Sequence, residues 1–579
     1  MTEQNNYDVV IVGAGIAGAL AAYKLAQAKK KVLIIEAGVA VPPSREDYVE
    51  RFYLAAAKTP ESPYPNNDNS PRPTVLEINN SSAPNKSYFI QNGPLPFSST
   101  NERLGGGTTW HWLGTCLRLL PNDFRVKTLY GHGVDWPITY ADLEPWYCEA
   151  EHEIGVAADV KDQKYLGLTF SKDYPMPGIP QSYLDRQISQ GIGDMEMYHQ
   201  PVKVVPTPQA RNSRPFDERR VCSGNTSCIP ICPIQAKYDA TIHIAKAQNL
   251  GAEVWYQTVA YQVDVNTETG HISGIQYKQY ETQDGPVTNQ GTVTAKVYIL
   301  AAHAIETAKL LLNSTSSKFP TGVANRSDQV GRNLMDHPVQ LSWGLMPQPV
   351  YPFRGPLSTS GIESLRDGSF RSHRAAFRME IGNEGWNWAA GDPHDTINRL
   401  ITEGETGKIL NSSIRELIIR QIRFGSLVEQ LPQSTNRIIP SKKYVDRLGI
   451  PRPEIYYDLC NYTKAGYAEA RKAAQAIFAK LGASDRTQVN ETSPGLFYFE
   501  DQPYVLNGAG HIMGTYRMGN DPDSSVVNAD LRSHDHPNLF MLGSGVFPTV
   551  GTSNPTITIA ALTLKTAATI VKQLNGVVV

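Results

Sequence analysis

Three cysteines, Cys222, Cys228 and Cys232, fall within the stretch VCSGNTSCIPICP, and Pro233 follows the last of them. Their spacing is C-x5-C-x3-C-P. Three thiolates so close can share one metal centre, but they cannot all pair as disulfides. A cysteine followed by proline also ends ferredoxin-type ligand runs. A closed structural zinc site takes about four ligands, and no fourth Cys or nearby His stands in this segment. Three ligands suit a three-iron cluster, or a four-iron cluster with one outside ligand. A single disulfide beside a buried thiol is the alternative that the spacing leaves open. The remaining Cys116, Cys148 and Cys460 are scattered, and six cysteines in 579 residues do not make a disulfide framework.

A second pattern is G-x-G-x-x-G, at Gly13, Gly15 and Gly18, with Ala17 inside it. The first glycine permits a tight turn, the second lets backbone approach a pyrophosphate, and the third lets helix pack on strand. The following helix N-terminus offers N–H groups to phosphate. Glu36 stands where a carboxylate accepts from a ribose hydroxyl, which disfavours a 2′-phosphate and therefore NADP. The motif does not separate FAD from NAD. A third segment runs Gly105, Gly106, Gly107, Thr108, Thr109, Trp110, His111, Trp112. Consecutive glycines mark backbone pressed close to another group, and Trp-His-Trp is poor surface-loop chemistry.

Elements must hold these patterns in place. Tyr7 to Val12 is an apolar, β-branched run, Ala14 to Ala28 are good helix formers, and Val32 to Ile35 is a second run. Together they predict a β-α-β unit. Residues 58–100 and 168–215 read as Pro-rich loops, and Trp136 to Ala150 carries helical signals. Val297 to Ala302 predicts a strand feeding a helix from Ile305 to Leu312, and Asn538 to Leu542 another strand. Asn554 is placed as the N-cap and Pro555 as the first residue of a last helix with an apolar stripe. Residues 340–500 mix strands and helices.

The length predicts two connected domains. Lys plus Arg number 54 against 56 Asp plus Glu, a net charge of −2, so charge gives no case for nucleic acid or anionic lipid. No run reaches the roughly 20 apolar residues of a membrane span. Met1 to Asn6 is polar, so the chain is expected to carry no export signal of its own.

The sequence resembles the glucose–methanol–choline (GMC) oxidoreductase family from Tyr7 to the C-terminus. The resemblance rests on the opening turn, the Gly106-Gly107 segment, DWPITYADLEPWY from Asp135, VGRNLMDHP from Val330, HIMGTYRMG from His511 and NPTITIAAL from Asn554. It implies an α/β fold, in which a Rossmann-like FAD-binding domain is interleaved with an α+β substrate domain on a mixed or antiparallel sheet. By this resemblance residues 1–57, 100–150, 216–340 and 511–579 form the FAD-binding domain, with 216–240 as an iron–sulfur segment. Residues 58–99, 151–215 and 341–510 form the substrate-binding part.

The resemblance makes the nucleotide FAD. It adds Val259, Ala302, Gly543, Asn554 and Pro555 to the cofactor contacts, beside Gly106, Gly107, Thr108, His111 and Trp112. His303 and Ala304 stand where small residues are common, and Gly543 where many relatives have an acid. Some relatives attach FAD covalently to a His in the segment of His111. His511 and Asn554 match the family's catalytic pair: the His takes the O–H proton while hydride leaves for the flavin, and the Asn holds the same oxygen. The helix after Asn554 can stabilise negative charge on a reduced flavin. Glu429, Gln430 and Asn436 are candidates for sugar hydroxyls or, equally, for structural roles.

RNSRPFDERRVCSGNTSCIPICPIQAKYDA, GGTTWHW and LPQSTNRIIPS resemble the flavin subunit of bacterial membrane-bound sugar dehydrogenases of the glucose, fructose, sorbitol and gluconate types. That implies a three-iron, four-sulfur cluster on Cys222, Cys228 and Cys232. It also implies a sugar, polyol or sugar-acid substrate, a multihaem cytochrome c subunit as acceptor, and a small partner that carries the export signal. The location implied is the periplasmic face of the inner membrane. The alternatives are a stand-alone oxidase that uses oxygen and a non-catalytic electron-transfer flavoprotein.

Overall fold

The computed structural model describes residues 7–40, 45–56, 59, 61–74, 77, 87–224, 227–383 and 393–577. The polar start Met1 to Asn6 and parts of the 58–99 stretch lie outside the described residues. The predicted β-α-β unit forms: strand Tyr7–Val12, helix Ile16–Gln27, strand Val32–Ile35. Five parallel strands make one sheet in the order Leu539–Met541, Ala295–Leu300, Tyr7–Val12, Val32–Ile35, Glu253–Trp255. Its central strands are largely apolar and buried because helices cover both faces of a parallel sheet, with Asp8, Glu253 and Lys296 only at strand ends. A three-stranded antiparallel meander, Thr258–Val265, Ile272–Tyr280 and Val287–Val293, is inserted between the strands Glu253–Trp255 and Ala295–Leu300.

The 340–500 region builds an antiparallel sheet around Pro338–Leu345, Gln421–Val428 and Phe377–Gly382. Register sets its two faces. Val339, Leu427 and Arg378 form one row, Leu341, Gly425 and Glu380 the next, and Trp343 lies opposite Arg423. The opposite face packs on the helix Asn461–Leu481, where Phe424 stacks on Phe478 with ring centroids 5.4 Å apart. One apolar core runs through both sheets.

Several boundaries differ from the sequence reading. The helix after Trp136 is Tyr140–Ile154, because Thr139 and Asp142 cap each other's backbone N–H groups. The 168–215 stretch is not all loop. Ser182 and Asp185 form a capping box that starts a helix at Tyr183–Ile192, and Val204–Pro206 joins the antiparallel sheet. The last helix is Thr556–Leu574, capped by Pro555, so Asn554 is not its N-cap and makes no capping bond. Among the described residues this is the one helix long and apolar enough to cross a membrane. It is a core helix here, packed against Ile16–Gln27 and Tyr140–Ile154.

A buried cation ties the end of the strand Gln421–Val428 to the turn at Asp123, which holds the loop that precedes this helix. The Arg371 guanidinium lies 2.6 Å from Glu429, 3.0 Å from Asp123 and 3.1 Å from Asp367. Asp123 also accepts from the Thr552 hydroxyl at 2.9 Å. Removing one member of a buried ionic network leaves uncompensated charge. Arg371→Met is therefore expected to cost about 3–5 kcal/mol of stability, read as a lower urea midpoint. An unchanged midpoint would show that the network is not structural.

Candidate active site

Gly13 is the one residue that fits its turn: φ is +104°, and a Cβ would lie 2.5 Å from the Ala301 carbonyl oxygen. Gly18 lets helix meet strand, since a Cβ there would stand 1.9 Å from the Gly13 oxygen. Gly15 differs, because nothing lies within 4 Å of where its Cβ would be. That open space, next to a helix N-terminus without a side-chain cap, fits a pyrophosphate. Gly107 faces it, with an added Cβ 3.3 Å from the Gly15 Cα. The amide of Gly106 donates to the Ala14 carbonyl at 3.0 Å, which ties the two glycine-rich turns together. Glu36 is buried at the strand end, and its carboxylate accepts from the amides of Ala14 at 2.8 Å and Gly38 at 2.9 Å.

These turns border a cavity of about 1090 Å³. That is at the upper end for a small-molecule site, with room for a dinucleotide and a substrate. Gly13, Gly15, Ala17, Glu36, Gly107, Thr108, His111, Trp112, Val259, Ala302, Gly543, Asn554 and Pro555 line it, as does His511. Gly18 and Gly106 support the turns from behind. His111 Nδ1 lies 3.5 Å from the buried Glu102 carboxylate, which Arg72 also meets at 2.9 Å. His303 lines the cavity with φ +76°, and burial pushes its pKa down to about 4.

At the other end, His511 Nε2 lies 3.2 Å from Asn554 Nδ2, although 43 residues separate them. The Asn554 side-chain oxygen is buried without a hydrogen-bond partner. Freed from capping duty, this amide faces the histidine. Two residues that sequence reasoning passed over complete the cluster. His337 Nδ1 stands 3.0 Å from His511 Nδ1, and its Nε2 is 3.2 Å from the Gly551 carbonyl. Asp336 Oδ1 accepts from the amides of His337 at 2.7 Å and His511 at 2.8 Å. The Ser99 hydroxyl donates to Oδ2. The signal was present in the VGRNLMDHP stretch, but only as a resemblance and not as chemistry.

Burial sets the charge states. It pushes the His511 pKa well below the ordinary histidine value, and His337 and Arg378 add to that. It lowers His337 to about 4, with Arg366 and Arg378 acting in the same direction and the Gly551 carbonyl opposing. It raises Asp336 to about 6 against the hydrogen bonds from Ser99, His511 and His337. Both imidazoles are therefore neutral at neutral pH, as a proton acceptor requires.

Of the two roles open to Glu429, Gln430 and Asn436, the structural one holds. Glu429 is held by Arg371, Gln430 accepts from the Asp336 amide at 2.9 Å and Tyr457 at 2.8 Å, and Asn436 bonds the backbone of Asp458. None of the three lines the cavity. Polar groups that do include Glu380 and Arg423, which strand register turns to one face, and Gln340 on the neighbouring strand. Glu380 and Arg423 escaped sequence reading because only the pairing of distant strands puts them on one wall.

Cys222, Cys228 and Cys232 are unpaired, the first half-buried and the others buried. Among the described residues no group of three His, Cys, Asp or Glu stands close enough to hold a metal ion. The cysteine segment is nonetheless stitched to the cavity wall. Lys237 is buried and donates to the carbonyls of Trp110 at 2.8 Å and Cys228 at 2.9 Å, while Trp112 Nε1 donates to the Tyr238 carbonyl at 2.8 Å.

Comparison with known proteins places residues 207–339 and 432–563 on family models described as GMC oxidoreductase, and 11–41 on an NAD(P)-binding Rossmann-like domain. The chain is 35% identical over 579 residues to the fructose dehydrogenase large subunit of Gluconobacter japonicus, covering 98% of each. It is 26% identical to 2-methyl-1,2-propanediol dehydrogenase of Mycolicibacterium austroafricanum, covering 100% of this chain and 97% of that one. It is 22% identical to the gluconate 2-dehydrogenase flavoprotein of Pantoea cypripedii, covering 99% and 94%. The solved structure of pyridoxine 4-oxidase from Mesorbium loti shares the fold, with TM-score 0.61 and 17% identity over 97% of this chain and 99% of that one.

The two glycines of the first turn separate experimentally. Gly15→Ala fits the protein and fills only the pyrophosphate space, so it is expected to lower bound dinucleotide per chain with the apoprotein melting temperature unchanged. Gly18→Ala clashes with backbone and is expected to lower the melting temperature itself. Full dinucleotide content in Gly15→Ala would remove the pyrophosphate from this turn.

Proposed function

The chain belongs to the GMC oxidoreductase family and is an FAD-dependent oxidoreductase acting on CH–OH donors; on that premise we propose that it is a dehydrogenase subunit oxidising a sugar, polyol or sugar acid to a ketone or lactone. The observation that carries this reading is the 3.2 Å contact of His511 Nε2 with Asn554 Nδ2 on the wall of the cavity that also contains the dinucleotide turn. FAD, when bound by the two glycine-rich turns and Glu36, supplies the acceptor for a hydride.

The chain's own residues do the rest. His511 accepts the hydroxyl proton of the substrate at Nε2. Asn554 donates from Nδ2 to the same oxygen and so fixes the direction of the C–H bond. Burial keeps His511 neutral. Gln340, Glu380 and Arg423 meet the remaining hydroxyls of a polyhydroxylated substrate.

The reading extends to an iron–sulfur cluster on Cys222, Cys228 and Cys232. Support comes from the chemistry of three free thiols, from the stitching of their segment to the Trp110–Trp112 wall, and from the similarity to a large subunit. The three thiols are of the right donor type, but among the described residues no three donors stand together as a metal site. A cluster is useful where electrons leave singly for a protein acceptor, so a cytochrome c subunit, a small export partner and a place at the periplasmic face of the inner membrane belong to the same proposal. The 216–240 segment would then be the cluster-bearing part of the FAD domain.

The experiment is anaerobic: fructose, sorbitol and gluconate are added in turn and the flavin absorbance is followed. One of them is expected to bleach the flavin, and His511→Ala is expected to slow bleaching by about 10²–10⁴-fold with flavin retained. Unchanged bleaching in His511→Ala would remove the base assignment. About three irons per chain, lost in Cys228→Ser, are expected of the same preparation. Abundant peroxide in air without a mediator would instead favour a stand-alone oxidase. Acid precipitation of the sample reports whether flavin is bonded to His111.

A further inference from the structure

The contact between His337 and His511 carries an inference that rests on His511 as the base. Two imidazole nitrogens hydrogen-bond only when one bears hydrogen and the other does not. His337 Nε2 lies 3.2 Å from the Gly551 carbonyl, which can only accept, so that nitrogen bears the hydrogen. In a neutral ring Nδ1 is then bare. His511 Nδ1, 3.0 Å away, must therefore donate to it. That leaves the lone pair of His511 on Nε2, the nitrogen facing Asn554 and the cavity.

We propose that His337 is a positioning residue that fixes the tautomer of His511, taking its own orientation from the Gly551 carbonyl, so that the proton-accepting nitrogen faces the substrate hydroxyl. The rings stand at 89°, so each nitrogen meets its partner at a ring edge. Once His511 holds the substrate proton on Nε2, its Nδ1–H still donates to His337, and no rearrangement is needed. A charged His337 would donate from both nitrogens and force the hydrogen of His511 onto Nε2. The surrounding groups work against that charge. Arg366 and Arg378 face His337, and Arg378 also faces His511. Asp336 accepts from backbone amides, including those of His337 and His511, and from the Ser99 hydroxyl, not from either ring.

Two substitutions separate the tautomer role from packing. His337→Asn places an amide oxygen where Nδ1 stands and keeps an acceptor for His511. His337→Gln extends to the Gly551 carbonyl and leaves no acceptor at Nδ1. His337→Phe fills the space with neither. Anaerobic flavin reduction is measured in each, with flavin content and melting temperature recorded. The Asn variant is expected within about threefold of the wild type, and the Gln and Phe variants about 100-fold slower at saturating substrate, the order of loss when a supporting hydrogen bond to a functional histidine is removed. Equal rates in Asn and Gln variants would overturn the proposal. His511→Ala runs alongside: if it bleaches normally, the base assignment fails. If it is inactive while Gln and Phe variants match the wild type, only the tautomer role fails.

Discussion

One buried carboxylate oxygen holds the reacting end of the molecule together. Asp336 Oδ1 accepts from the backbone amides of both His337 and His511, residues 174 positions apart. The first follows a loop into the antiparallel sheet at Pro338–Leu345, and the second enters the segment that returns to the parallel sheet. Binding both amides to one oxygen sets the two imidazoles at contact distance. Ser99, from the excursion after the first sheet strands, secures the other oxygen. The seam between the two sheets is thus also where the proposed proton chemistry would be arranged.

Around that seam, positions follow from backbone geometry rather than from flexible side chains. The dinucleotide turn is set by Gly13 and Gly18, whose missing Cβ atoms allow carbonyls to approach. Asn554 is set by the loop that Thr552 ties to Asp123, and Asp123 is tied in turn to Arg371. The cavity wall opposite is set by strand register, which turns Glu380 and Arg423 to the same face. A site built on such elements tolerates little displacement, which suits a hydride transfer that depends on direction.

Much of this was legible in the residues. The β-α-β unit, its glycines and Glu36 are local, and local spacing identifies them. The pairing of His511 with Asn554 was legible only through the family resemblance, because no short-range pattern brings residues 43 apart together. Asn554 also looked like a helix cap. Pro555 takes that position instead and leaves the amide for the histidine. Asp336 was hidden because its partners are backbone amides, which leave no trace in sequence, and His337 because its ring partners, His511 and the Gly551 carbonyl, are 174 and 214 positions away. Glu429, Gln430 and Asn436 left two roles open because buried polar groups that serve structure resemble those that serve a ligand until their partners are known.

The central claim is that a neutral His511, its lone pair aimed by a neutral His337, takes the substrate proton. The pH dependence of the anaerobic flavin-reduction rate in the wild-type protein tests it most directly. An ordinary histidine gains its proton near pH 6.5, whereas burial holds His337 down to about 4 and His511 well below the usual value. A proton on Asp336 can sit on Oδ2, toward Ser99, and leave Oδ1 on the two amides. The rate is therefore predicted to stay level as pH falls through 6 and to drop only toward about 4. A rate lost with a midpoint near the ordinary histidine value would contradict the account.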